Sequence, residues 1–225
     1  SSRGLGDVYK RQCLNVGCIP SKSLLDSSYK FKQISESFDD HGIKVSKPSY
    51  DLNKMMLRKD EIIQKLTGGV GHLFKHNKVE SIHGRGKLIS ANEVEVTNPK
   101  GKKQIVKGKN IILAAGSRPI NIPSVPWNGS TVVGSSGALE FNQTPKKLAI
   151  IGAGVIGLEL GSVWSRLGSN VDIYEAEQTL LPMLDEDVSR LIEREFRKQN
   201  LNIQLGTFVK GSKTVSYTHL RAHET

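Results

Sequence analysis

Apolar and polar positions recur along this chain with two different periods, and the change of period divides it. Between Ser21 and Phe38, the residues Leu24, Leu25, Tyr29, Ile34 and Phe38 repeat close to every 3.6 positions, which predicts one helix ending at His41-Gly42. After Lys47-Pro48 a longer stripe of Leu52, Met55, Met56, Ile62, Ile63, Leu66, Val70 and Leu73 advances in steps of three and four, and it predicts a core-facing helix over 51–76. Gly68, Gly69 and Gly71 lower its helix propensity. The period then falls to two. Segments 79–86, 93–96 and 104–106 predict short strands joined by glycine or asparagine turns, together a small β-meander. A buried strand at 109–113, centred on Ile111-Ile112-Leu113, is predicted to enter a turn of small residues, and prolines at 119, 123 and 126 mark a domain boundary near 119–126.

The second half alternates strand and helix. Lys147-Leu148-Ala149-Ile150-Ile151 predicts an apolar strand, 158–167 a helix, 171–174 a second strand, 185–199 a helix capped by Asp185, and 202–209 a third strand. Such alternation defines an α/β fold with a parallel sheet. The join between the first strand and its helix reads Gly152-Ala153-Gly154-Val155-Ile156-Gly157. Set between a strand and a helix, a G-x-G-x-x-G turn allows a tight bend, close approach of a diphosphate to the helix N-terminus, and close helix–strand packing. Glu175 stands at the end of the next strand, where a carboxylate accepts hydrogen bonds from ribose hydroxyls and repels a 2′-phosphate. No arginine follows it, the next residues being Ala176-Glu177-Gln178, so the motif predicts NAD rather than NADP.

The only two cysteines lie in Cys13-Leu14-Asn15-Val16-Gly17-Cys18-Ile19-Pro20-Ser21-Lys22. Five residues apart on a straight helix is too far for a disulfide, so a bridge requires the backbone to bend, which Gly17 and Pro20 permit. Lys22 follows Cys18 by four residues, where its charge and the helix N-terminus both favour thiolate over thiol. The spacing thus suits a redox disulfide, with two unrelated buried thiols as the alternative. A metal is not expected: C-x4-C has no second ligand pair, and His41, His72, His76 and His83 show no zinc spacing.

These ten residues resemble the active-site segment of the flavin-dependent pyridine nucleotide–disulfide oxidoreductases, and the later motifs follow in the family's order over about 13–212. The resemblance implies a Rossmann-like two-domain disulfide reductase fold with an inserted small β-meander, incomplete at both ends, binding FAD and NAD. It implies a Cys13–Cys18 disulfide, Cys13 exchanging with substrate and Cys18 contacting flavin, with Lys22 near the flavin ring and paired with Glu159. It places Gly86 at the adenine end of FAD and Ala115, Gly116 and Ser117 at the flavin nucleotide, Ala115 standing where threonine is common. It assigns Gly152, Ala153, Gly154, Val155, Ile156, Gly157, Glu159, Glu175 and Val209 to NAD. The wording Leu14, Ile19 and Ser21 fits members that oxidise protein-bound dihydrolipoamide to lipoamide, with a lipoyl domain of a 2-oxo acid dehydrogenase or related complex as partner and a homodimer as the full-length form. Other flavin-dependent disulfide or mercuric reductases, or a non-catalytic NAD-binding module, are the alternatives.

Domain organisation follows: 13–120 as a partial FAD-binding domain and 121–212 as a partial NAD-binding domain. Residues 1–12 and 213–225 match no pattern and are expected to be non-native, so His219 and His223 receive no role. The isolated chain is expected to be inactive in lipoamide turnover. A net charge of +10 raises the question of nucleic acid, but the basic residues are scattered apart from Lys100-Gly101-Lys102-Lys103, which predicts a solvated surface. No run of 18 apolar residues and no leader pattern is present, so neither a membrane nor secretion is expected and the cytoplasm is the expected compartment.

Overall fold

The computed structural model describes residues 3–5, 13–116 and 119–213. In order these form β1 (Arg3–Leu5), α1 (Cys18–Glu36), a short 3-10 turn (Asp39–His41), α2 (Leu52–His76), β2 (Glu80–Ile82), β3 (Arg85–Ser90), β4 (Glu93–Thr97) and β5 (Lys103–Lys107). They continue as α3 (Ser135–Ala138), β6 (Lys147–Ile151), α4 (Val155–Arg166), β7 (Asn170–Tyr174), α5 (Glu186–Lys198) and β8 (Leu201–Gln204). Two compact units emerge, one from residues within 1–20 and 60–118, the other from 21–59 and 119 onward.

In the first unit β3, β4 and β5 form an antiparallel meander in which Leu88, Val94 and Val106 fall on one face. Val94, Val96 and Val106 are buried there, with Ile82 and Ile111 packed against them. Asn98 makes the β4–β5 turn, its side-chain oxygen accepting from the Lys100 and Lys102 amides while Gly101 takes φ +80°. The segment predicted as one strand at 79–86 divides. Glu80–Ile82 leaves the meander and pairs parallel with Arg3–Leu5, to which the sequence pattern assigned no element. A three-residue strand held by main-chain bonds to a distant segment leaves no periodicity to read. The predicted buried strand at 109–113 is also not observed: this stretch pairs with no strand among the described residues, and Ile112 and Leu113 are 90% and 75% exposed. Without a ladder, an apolar run has no reason to be buried.

The second unit is a βαβαβ arrangement, its parallel sheet ordered β6-β7-β8 with Ile150 opposite Ile173 and Ile173 opposite Ile203. Helix α4 lies on the sheet through Leu158, Val163, Trp164 and Leu167, all buried with Val171, Ile173, Leu201 and Ile203. Gly161 makes this approach close: a methyl there would come within 3.2 Å of Ile173 Cδ1 and 3.3 Å of Ile150 Cδ1. Asp185 caps α5 by accepting from the Asp187 amide. The α1 residues Leu24, Leu25 and Phe31 join the same core, as do Leu52, Met55 and Met56 from the start of α2. Tyr50 ties the α1–α2 connection down: its ring meets Phe31 edge-on at 4.9 Å and its hydroxyl donates to the Leu167 carbonyl at 2.7 Å. Lys59 is fully buried and donates to the Leu139 carbonyl and to Glu140. The α2 stripe is therefore core only in its first turns, since Leu66 and Leu73 are exposed. No helix among the described residues is long and apolar enough to cross a membrane.

Trp164 is the largest fully buried side chain of this core. Trp164→Ala in the full-length protein should cost about 3–5 kcal/mol, read from a urea unfolding midpoint. A loss under 1 kcal/mol would show that the core is not built around it.

Candidate functional site

Cys13 and Cys18 form a disulfide with Cα atoms 4.3 Å apart. The chain bends as the spacing requires: α1 begins only at Cys18, and the Ile19 amide donates back to the Cys13 carbonyl at 2.7 Å. Pro20 falls in the first turn of α1, where a missing N–H costs no helical bond. Both cysteines are exposed, and Cys18 sits at the positive end of the helix dipole. Between them the Asn15 Oδ1 atom is buried with no hydrogen-bond partner among the described residues.

Farther along α1, Ser21 and Lys22 both reach Glu159 on α4. Lys22 Nζ pairs with Glu159 Oε1, and Ser21 Oγ donates to Oε2 at 2.6 Å. Ser21 stands out in the sequence only as part of the segment's wording, not for this contact; 138 residues separate it from Glu159, and no local spacing signals the bond.

The glycine turn divides its work among three positions. Gly152 takes φ +100° and donates its amide to the Tyr174 carbonyl, which fixes the turn to the end of β7. Gly154 caps α4 with extended backbone. Added side-chain carbons at 152 and 154 would meet nothing within 4 Å, so this backbone faces open space. Gly157 is the opposite case, because a methyl there would be driven into the Gly152 carbonyl oxygen and lie 3.2 Å from Ile150 Cγ2. Val155 and Ile156 are exposed in the first turn of α4, which carries no acidic residue.

Glu175 follows β7 and closes on this turn: Oε2 accepts from the Ala153 amide at 2.7 Å and Oε1 from the Glu177 amide at 3.0 Å. Each oxygen keeps a lone pair for a further donor. The strand predicted to reach 209 stops at Gln204, because Gly206 turns at φ +63° and the chain bonds back, Gly206 N–H to the Glu177 carbonyl and Thr207 N–H to the Glu175 carbonyl. Val209 therefore lies in a loop, its carbonyl accepting from Ser124 Oγ at 3.4 Å.

The remaining predicted positions lie in the first unit. Gly86 sits in β3 opposite Val96, and a side-chain carbon there would approach Val94 Cγ1 at 3.3 Å. Ala115 and Gly116 are exposed, Gly116 at φ +74°, and Ser117 lies outside the described residues. Open backbone at Gly152 and Gly154 and the first turn of α4 fit a dinucleotide diphosphate. The exposed small residues before 117, with Gly116 at φ +74°, leave backbone open to a bound group, and the buried Asn15 oxygen, without a hydrogen-bond partner among the described residues, is an acceptor such a group could meet. No cluster of three or more metal-ligating side chains occurs among the described residues.

Residues 5–223 match the family model for pyridine nucleotide-disulphide oxidoreductases, and the chain belongs to this family of flavoenzymes that use FAD with NAD(P). It is 46% identical over 202 residues to a leghemoglobin reductase of Vigna unguiculata, aligning 90% of this chain with 39% of that protein. To the mitochondrial dihydrolipoyl dehydrogenase of Pisum sativum it is 45% identical over 202 residues, covering 90% of this chain and 40% of that one. The flavoprotein disulfide reductase RclA of Escherichia coli superimposes with a TM-score of 0.75 at 26% identity, over 95% of this chain and 45% of RclA. The chain thus spans about two fifths of the length of the curated relatives it matches.

Gly157→Val should lower stability by about 1–3 kcal/mol through overpacking against the Gly152 carbonyl, whereas Gly154→Ala, facing open space, should cost under 1 kcal/mol. Thermal melts of the two variants in the full-length protein check the contrast.

Proposed function

We propose that this chain serves as part of a dihydrolipoyl dehydrogenase that oxidises protein-bound dihydrolipoamide with NAD as final acceptor. The exposed Cys13–Cys18 bridge at the start of α1 carries this reading. One dihydrolipoyl thiolate attacks Cys13 sulfur, forming a mixed disulfide and releasing Cys18 as a thiolate, which the start of α1 favours. The second dihydrolipoyl thiol loses its proton and attacks its own mixed-disulfide sulfur; the lipoyl ring closes and Cys13 leaves as thiolate. Two electrons now reside on the cysteine pair, and two protons have left the substrate.

FAD, when bound, supplies the two-electron relay between this pair and the nicotinamide. Gly86, Ala115, Gly116 and Ser117 are the residues proposed to hold it, with Lys22 near its ring. The glycine turn from Gly152 to Gly157 receives the NAD diphosphate, and the free lone pairs of Glu175 accept from the ribose hydroxyls, disfavouring a 2′-phosphate. Val209 lines the adenine side. Lys22 and Glu159 hold a fixed pair of charges along the electron path. The lipoyl domain of a 2-oxo acid dehydrogenase or related complex is the proposed partner, a homodimer the full-length form, and the cytoplasm the compartment. In a reducing compartment a persistent exposed disulfide is a catalytic one. Because the chain spans about two fifths of its relatives, the reaction is assigned to the full-length protein, and the 225-residue chain alone is expected not to turn over lipoamide.

The full-length protein should reduce NAD with dihydrolipoamide, strongly preferring it to NADPH-linked glutathione or mercuric ion reduction. Cys18→Ser should lower kcat by about a thousandfold or more. Turnover that survives this substitution, or a preference for another disulfide or for Hg(II), would refute the assignment.

A further inference from the structure

Glu159 is gripped by two donors of different character. Consecutive helical residues point about 100° apart, so Ser21 and Lys22 can both reach one carboxylate only by approaching it from two sides. They do so with one oxygen each, Ser21 taking Oε2 and Lys22 taking Oε1. Their surroundings differ: Ser21 is 7% exposed, while the Lys22 side chain is 60% exposed and that of Glu159 22%. An exposed lysine on four rotatable bonds does little to fix a carboxylate, because solvent screens the pair and the side chain loses entropy when held. A buried serine has one rotor and donates a charge-assisted hydrogen bond. Its backbone is also held, since Pro20 before it and Ser23 and Leu24 after it are buried in the same helix.

We propose that Ser21 is the positioning residue of the Lys22–Glu159 pair. Its buried hydroxyl fixes the plane of the Glu159 carboxylate, so that Oε1 is presented to Lys22 in one orientation and the ammonium is held at one place. Ser21 acts through Glu159, which its hydroxyl meets at 2.6 Å. The consequence for turnover rests on the proposed function, which gives this pair its part in electron passage; the positional role stands on the geometry alone.

The test uses four variants of the full-length protein: Ser21→Ala, Ser21→Thr, Glu159→Ala and the Ser21→Ala/Glu159→Ala double variant. Acylation of Lys22 by N-acetoxysuccinimide in the native protein, quantified by peptide mass spectrometry, reports engagement of the amine without cofactor or turnover. Ser21→Ala should raise Lys22 labelling by about twofold to fivefold, the most that an exposed ion pair worth up to about 1 kcal/mol can protect. Ser21→Thr, which keeps the hydroxyl, should label like wild type, and Ser21→Ala should add nothing on the Glu159→Ala background. In the holoenzyme Ser21→Ala should lower kcat by about tenfold while leaving the KM for dihydrolipoamide within about twofold. Wild-type labelling in Ser21→Ala, or a Ser21→Ala effect of equal size on the Glu159→Ala background, would overturn the proposal. If the wild-type protein fails to oxidise dihydrolipoamide, the functional assignment falls, and the labelling series still decides on Ser21.

Discussion

The close seat of α4 on its parallel sheet is the constraint from which the second unit's chemistry follows. At positions 157 and 161 glycine leaves no side chain between helix and strands, so the helix start is pressed against the Gly152 carbonyl and its next turn against Ile150 and Ile173. That approach puts the N-terminal amides of α4 beside the glycine turn and fixes where Glu159 emerges. A helix held even one methyl farther out would move Glu159 away from Ser21 and Lys22, because hydrogen-bond geometry tolerates only a few tenths of an ångström.

Glu175 ties a second set of elements to the same turn. Its carboxylate spans the Ala153 and Glu177 amides, and its backbone bonds to Gln204 and Thr207 on either side of the chain reversal after β8. A residue whose expected task is to meet a ribose is thus also part of the scaffold. Substituting it would disturb this loop directly, whatever else the residue does.

Much of this was legible in the sequence because its signals are local. The G-x-G-x-x-G turn, the apolar strand before it and the carboxylate after the next strand lie within about 30 residues, and backbone sterics dictate them. The cap at Asp185 and the β-meander with its Asn98 turn are likewise local. What escaped depended on distant partners. Ile112 and Leu113 form an apolar run indistinguishable by composition from a buried strand, yet burial requires a neighbouring strand that periodicity does not encode. The α2 stripe is uniform along its length, but only Leu52, Met55 and Met56 find the core. Ser21 looks like any helical serine, and its contact with Glu159 exists only once α1 and α4 are packed.

The second unit is assembled from two stretches of chain separated by about 60 residues, and its central polar contacts join positions 137 and 138 apart. During synthesis α1 leaves the ribosome well before β6, α4 and β7, so beyond Tyr50 and the start of α2 its Leu24 and Phe31 have no core to enter until some 140 further residues have been made. Closing so long a loop is an entropic cost that the contacts of α1 with α4 have to offset. Until β8 has been made, the apolar face of α1 can pack only on Tyr50 and the first turns of α2.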